Sequence, residues 1–324
     1  MIAATTARAV AALVLSTLAA TAAAQVSYPA KPVRIIVPFP PGGPTDVVTR
    51  TIGPKLSEAL GQPVVIDNRA GAGGMTGTEQ ASKAPPDGYT LLMGTIGGLA
   101  VAMSLQPNRG YDTLRDLAPI TQSVHVTNIM AVHPSVPARS VKELLAIART
   151  QPGKLNYGSA GAGTGPHLAG ELLKLTAKVN IVHVPYKGSA PALTALMGGE
   201  VDINFENTLI VLPHLRTGRV RPLAVTGATR SRLLPDLPTV GETIPGFSAS
   251  GWYGLMAPAG TPREIIQRLN TEVVRILRMP DVVERLSGQG AEPAGGTPEQ
   301  FGAFLGAEIE KWARLVKAAG MRPD

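Results

Sequence analysis

The chain has 324 residues, 44% hydrophobic and 16% charged, which excludes global disorder and supplies material for more than one core. With 36 glycines, 29 prolines and only 4% aromatic residues it is no coiled coil, and it reads as a loop-rich α/β protein of about two domains. The net charge of +7 is dispersed rather than gathered in a run, which argues against nucleic acid as a partner. The absence of cysteine excludes disulfides, thiolate metal sites and cysteine nucleophiles.

In chain order, residues 1–24 read as a secretory signal peptide. Arg8 supplies the positive start, residues 9–20 are apolar, and Ala22-Ala23-Ala24 offer a small-residue cleavage site before Gln25. An apolar run of about 12 residues falls short of the roughly 20 needed to span a bilayer. The mature chain, 25–324, is therefore expected to be soluble and exported. Strands are expected at 33–37, 64–66 and 90–94, with a helix over 45–60 whose Val48, Ile52, Leu56 and Leu60 share one face. Pro54 predicts a kink or break in that helix. Further strands are expected at 128–132, 155–158, 180–184, 201–205, 220–226 and 253–257. Between and after them, helices are expected at 141–150, 166–177, 190–197, 209–217 and beyond 261. Ser140/Glu143, Thr261/Glu264 and Thr297/Gln300 have the spacing of capping boxes.

Strand–helix alternation predicts mainly parallel sheets flanked by helices. The division expected is a first lobe of 25–131 plus 253–324 and a second lobe of 132–252, joined by a hinge of two crossings.

Two segments share one layout. A strand runs into Pro40-Pro41-Gly42-Gly43-Pro44-Thr45-Asp46 and then a helix. Another runs into Gly161-Ala162-Gly163-Thr164-Gly165-Pro166-His167 and then a helix. Glycines let such backbone turn tightly, and the free N–H groups of a helix start attract anions. Both loops lie beyond the carboxyl ends of strands, where open α/β sheets hold ligands. They read either as opposed halves of a carboxylate clamp or as two ordinary tight turns.

Catalytic readings fail on detail. Ser159 lacks the G-x-S-x-G elbow because position 157 is Tyr. The histidines lack metal-ligand spacing, and Gly71-Ala72-Gly73 does not complete a dinucleotide fingerprint because position 76 is Thr. No metal or cofactor is implied, and no enzyme. Trp252 and Tyr253 read either as stacking on a ligand or as packing the hinge, the hinge being the favoured reading.

PFPPGGPTDVVTR (38–50), VVIDNRAGAGGMTG (64–77), PPDGYTLLMGT (85–95), LNYGSAGAGTGPHLAGELL (155–173) and IVHVPYKGSAPALTALMGGEVDINF (181–205) carry a resemblance. So do RPLAVTG (221–227) and GLMAPAGTP (254–262). With these motifs in this order, the chain resembles the Bug family, the solute-binding proteins of tripartite tricarboxylate transporters. The resemblance implies a two-lobed periplasmic binding protein fold of type II-like form, closing on a small carboxylate, probed largely by backbone amides and ordered waters. Carried over by motif position, it implies ligand contacts from Phe39, Gly43, Thr45 and Asp46 in the first loop. From the second loop it implies Ser159, Ala160, Gly163, Thr164 and His167, with Thr95 and Asn207 at the cleft edge. Glu206 stands where many members carry Asp, so its longer side chain either narrows the pocket or points away. The implied partners are a small carboxylate and integral-membrane transporter subunits, with the binding protein itself a monomer. A sensor protein presenting its carboxylate to a membrane receptor would share all these features.

Overall fold

Val33, Ile35, Ile36 and Val37 are wholly buried, as a β-branched strand covered on both faces requires. They form β1 (Val33–Val37), followed by β2 (Val64–Asn68), β3 (Thr90–Thr95), β4 (Leu117–Val126), β5 (Asn128–Val132) and β6 (Asn156–Ser159). Then come β7 (Val182–Pro185), β8 (Ile203–Asn207), β9 (Arg221–Val225), β10 (Gly251–Pro258) and β11 (Ala291–Gly295). This computed structural model describes residues 28–322, so the signal segment expected over 1–24 lies outside the described residues.

The strands form two sheets with helices packed against them, one of order β11-β4-β10-β3-β1-β2 and one of order β7-β6-β8-β5-β9. The two-lobed α/β architecture is present, but its sheets are mixed rather than mainly parallel. Helical crossovers make β1 parallel to β2 and β3, and β6 parallel to β7 and β8. The strands that enter directly from the other sheet arrive without a crossover and pair antiparallel. Thus β5 runs against β8 and β9, and β10 runs against β3 and β4.

The chain passes between sheets at Thr127 and again at about Ser250, a few residues before the division expected at 131/132 and 252/253. The reason is backbone pairing. Asn128 already faces Asn207 across the second sheet, and Gly251 already faces Val126 in the first.

The helix Pro44–Leu60 runs through Pro54 without a break. Losing one hydrogen bond to proline costs about 3 kcal/mol. Burying each of Val48, Ile52, Leu56 and Leu60 returns roughly 1.5–3 kcal/mol, so the packed face outweighs the interruption. Of the three capping boxes, only Thr297/Gln300 forms completely. Ser140 accepts from the Glu143 N–H, but the Glu143 carboxylate takes the Arg139 N–H instead of closing the box. Thr261 turns its hydroxyl back to the Pro258 carbonyl, leaving Pro262 at the helix boundary.

One apolar core runs on between the two sheets, joining Ile36, Leu92 and Trp312 to Met130, Leu168 and Phe205. The helix Pro298–Ala319 packs on β4 and also on the helix Gly165–Ala177 of the second sheet. Within it, Glu308 Oε2 accepts the indole N–H of Trp252 at 2.8 Å and of Trp312 at 2.7 Å.

Candidate functional site

Among the described residues, three helices that carry a proline in the first turn begin at the cleft between the sheets. The first is Pro44–Leu60, the second Gly165–Ala177 and the third Ser189–Gly198, and each carries a proline in its first turn, at Pro44, Pro166 or Pro191. Proline is favoured there because the first-turn N–H groups have no carbonyl within the helix. First-turn residues of all three helices, Thr45, Gly165, Ser189 and Ala190 among them, line the cleft at the positive ends of the helix dipoles.

The first loop is shaped by Asp46. Its carboxylate accepts the Gly42 N–H at 2.9 Å, Arg50 Nε at 2.8 Å and Asn68 Nδ2 at 3.0 Å. Burial alone would raise the Asp46 pKa, but Arg50, the Gly42 N–H and Asn68 outweigh it and hold the carboxyl below its usual range. Asn68 Nδ2 also donates to the Phe39 carbonyl at 3.0 Å, so one amide ties both ends of the loop.

The second loop is shaped by His167 and Ser159. The Gly163 N–H donates to His167 Nδ1 at 2.9 Å, which requires an unprotonated nitrogen there. Burial first, then His183 and Lys174, push the His167 pKa down to about 3, so the ring is neutral and able to accept. Its ring stacks on His183 with centroids 3.9 Å apart. Ser159 Oγ lies 2.6 Å from His183 Nε2 and accepts the Gly161 N–H at 3.1 Å. Thr164 donates its hydroxyl to the Gly161 carbonyl at 2.7 Å.

Behind this loop the two lobes touch backbone to backbone. A Cβ at Gly73 would lie 2.3 Å from the Ala162 carbonyl oxygen, and one at Gly97 would lie 3.0 Å from Gly73 O and 3.2 Å from Gly163 O. Gly73 also has φ 62°, a left-handed conformation that glycine adopts without strain.

The cleft is open to solvent and, with that open space counted, holds an empty volume of about 650 Å³. Of the residues singled out from sequence, Phe39, Gly43, Thr45, Thr95, Ala160, Thr164, Glu206 and Asn207 line it. Asp46, Ser159, Gly163 and His167 stand behind the lining and hold the loops by the bonds just described. Sequence reasoning missed the third helix start at Gly188–Pro191 and Asn128, and for Tyr253 it favoured the hinge over a ligand contact. The SAPALTAL run predicts only a short helix, although Gly188-Ser189-Ala190-Pro191 repeats the glycine-then-proline signal of the other two starts. Tyr253 faces the cavity and accepts from Asn207 Nδ2 at 3.2 Å, whereas its neighbour Trp252 packs away from it on Phe301 and Phe304.

Two features set the cavity's chemistry. Neither Lys nor Arg is among its lining residues, and Glu206 is the one acidic group there. Three buried polar atoms of lining residues, Thr95 Oγ1, Asn128 Nδ2 and Glu206 Oε2, have no hydrogen-bond partner among the described residues. Such atoms cost about 1–3 kcal/mol each unless a bound molecule or water satisfies them. Among the described residues, no group of three or more His, Asp or Glu is placed to hold a metal ion, and no helix is long and apolar enough to cross a membrane.

A sequence model described as the tripartite tricarboxylate transporter family receptor matches residues 48–321. Protein BugT of Bordetella pertussis is 41% identical over 298 residues, covering 91% of this chain and 91% of that protein. The structure of Rhodopseudomonas palustris Rpa4515 with adipate superposes with a TM-score of 0.89 at 40% identity, covering 92% of this chain and all of that one. MatC of the same organism, with bound malate, gives 0.85 at 33% identity over 89% of this chain and all of MatC.

Proposed function

The chain belongs to the tripartite tricarboxylate transporter receptor family, a family of solute-binding proteins rather than enzymes, and on that premise we propose that it captures a small di- or tricarboxylate in the interlobe cleft. The observation that carries this reading is the convergence of three helix starts on a cavity without Lys or Arg that holds unpartnered buried polar atoms. Each helix terminus contributes about 0.3–1 kcal/mol to an exposed anion and up to ~2 when partly buried, so three together replace a dedicated cation. The adipate and malate of the two solved relatives favour a dicarboxylate.

In this mechanism the ligand docks on the first loop, and rotation about the crossings at 127 and 250 brings the second and third helix starts onto its other end. The lobes then correspond to 25–131 with 253–324, and 132–252, adjusted to those crossings. Closure is favoured only by contacts that exist in the closed state. The exported, monomeric, liganded protein passes its carboxylate to integral-membrane subunits for uptake.

A thermal-shift screen of residues 25–324, unfolded and refolded to remove bound molecules, tests the capture step. It compares di- and tricarboxylates with amino acids and neutral sugars. A ligand at 100 times its dissociation constant stabilises the fold by about 2.7 kcal/mol, a shift of several degrees. A shift with one carboxylate class is the expected result. Shifts with sugars or cationic amines alone would overturn the anion reading.

A further inference from the structure

Resting on the carboxylate reading, we infer that Glu206 selects the ligand as a proton donor: it enters the complex neutral and gives a hydrogen bond from Oε2 to a carboxylate oxygen of the bound dianion. The argument begins with its oxygens. Oε1 accepts the Asn207 N–H at 2.8 Å, so that oxygen is committed as an acceptor. Oε2 belongs to a residue that lines the cavity, is itself buried, and makes no hydrogen bond of accepted geometry among the described residues, although the Ser189 hydroxyl lies near the carboxyl. The side chain is 0% exposed, so an anion there would be paired only with dipoles.

A carboxylate ligand held against an ionised Glu206 would set two like charges in one enclosed site with no Lys or Arg to separate them. Like-charged carboxyls in such a site retain a proton between them. A neutral Glu206 turns that repulsion into a charge-assisted hydrogen bond. The proton comes from solvent, so the captured species is the dianion plus one proton.

The surroundings leave Glu206 free to hold it. Strands β5 and β6 and the helices Gly165–Ala177, Ser189–Gly198 and Thr208–Arg216 pack on β8. β5 and Ser189–Gly198 carry no titratable residue. Tyr157, His167, Glu171 and Lys174 belong to the network around Phe205, which points to the opposite face of β8. His214 and Arg216 sit in the last turn of their helix, away from its start at Thr208. Lys187 is exposed ahead of Gly188 and is not among the lining residues. Tyr253 alone faces Glu206 from the first sheet, and burial keeps its hydroxyl neutral well above the usual range. Burial likewise pushes Glu206 up to about 7, against the pull of the Asn207 N–H and the nearby Ser189 hydroxyl.

The test is calorimetric titration with malate or adipate, whichever gives the larger thermal shift, from pH 6 to pH 9. For the wild-type protein, affinity should be level near pH 6 and fall about tenfold per pH unit above 7, roughly 100-fold by pH 9. Glu206→Gln keeps the acceptor to Asn207 and presents a permanent neutral donor. It should bind within a few-fold of wild type at pH 6 and hold that affinity at pH 9. Titrations of the wild type at pH 8 in buffers of different ionisation enthalpy should show uptake of about one proton per ligand. A pH-independent wild-type affinity with no proton uptake, or an affinity that rises with pH, would overturn the inference while leaving carboxylate capture standing. Failure of both proteins to bind any carboxylate at pH 6 would remove the carboxylate reading and this inference with it.

Discussion

Gly73→Ala separates closure from folding. Two penalties attach to the added methyl, and they fall on different states. The left-handed backbone, φ 62°, costs about 1–2 kcal/mol for an L-residue whether the lobes are open or closed. The contact with the Ala162 oxygen exists only when the lobes meet. A Cβ 2.3 Å from that backbone oxygen must withdraw by about 1 Å to reach an ordinary contact of 3.4 Å or more. Overpacking of this kind costs about 1–3 kcal/mol, which is roughly a 5- to 150-fold loss of ligand affinity when charged to the closed state alone. Calorimetry on the carboxylate found in the screen reads the second penalty, and the melting temperature of the unliganded protein reads the first. Gly61→Ala is the control: its φ is 68°, but a Cβ there meets nothing within 4 Å, so it should lower the melting temperature and leave affinity alone. Equal affinity for Gly73→Ala and wild type would refute the claim that Gly73 and Ala162 meet as part of ligand-dependent closure.

Asn68→Ala removes the amide that ties Phe39 and Asp46, and should weaken carboxylate binding about tenfold by titration calorimetry, with unchanged affinity counting against a bracing role. Glu308→Ala leaves the indole N–H groups of Trp252 and Trp312 buried without an acceptor, and should cost about 2–5 kcal/mol in urea unfolding while ligand affinity holds in the folded fraction. His167 has a depressed folded pKa, so the unfolded chain binds its proton first as pH falls, and stability declines from about pH 6.5 towards pH 3. Between pH 7 and pH 5 that amounts to about 2 kcal/mol, and His167→Gln should flatten the corresponding fall in melting temperature.

The loops were legible in the sequence because glycine followed by proline at a helix start is a local signal, and the helices because their apolar residues recur on one face. Local signals do not say which way a polar side chain turns. Asp46 and His167 look like ligand groups in a motif, yet each spends its lone pairs on its own loop's N–H groups, at Gly42 and Gly163. The cleft-lining loops are held in shape by polar residues that do not line it. Tyr253 and Asn128 are set at the cavity by pairings distant in sequence, Tyr253 opposite Thr95 and Asn128 opposite Asn207, and periodicity carries no trace of either. The same limit explains β4, a ten-residue strand missed altogether: it is buried largely by partners at β10 and β11, and Pro119, Thr121, Gln122 and Ser123 break any apolar run. Glu206 is the clearest case. Its position in the sequence marks it as unusual, but its chemistry follows from total burial, one committed oxygen and the absence of Lys or Arg from the cavity lining. A carboxyl so placed repels the dianion if it is ionised and binds it if it is neutral. The pH dependence of Glu206→Gln against wild type therefore reads the protonation state directly, with the cleft otherwise unchanged.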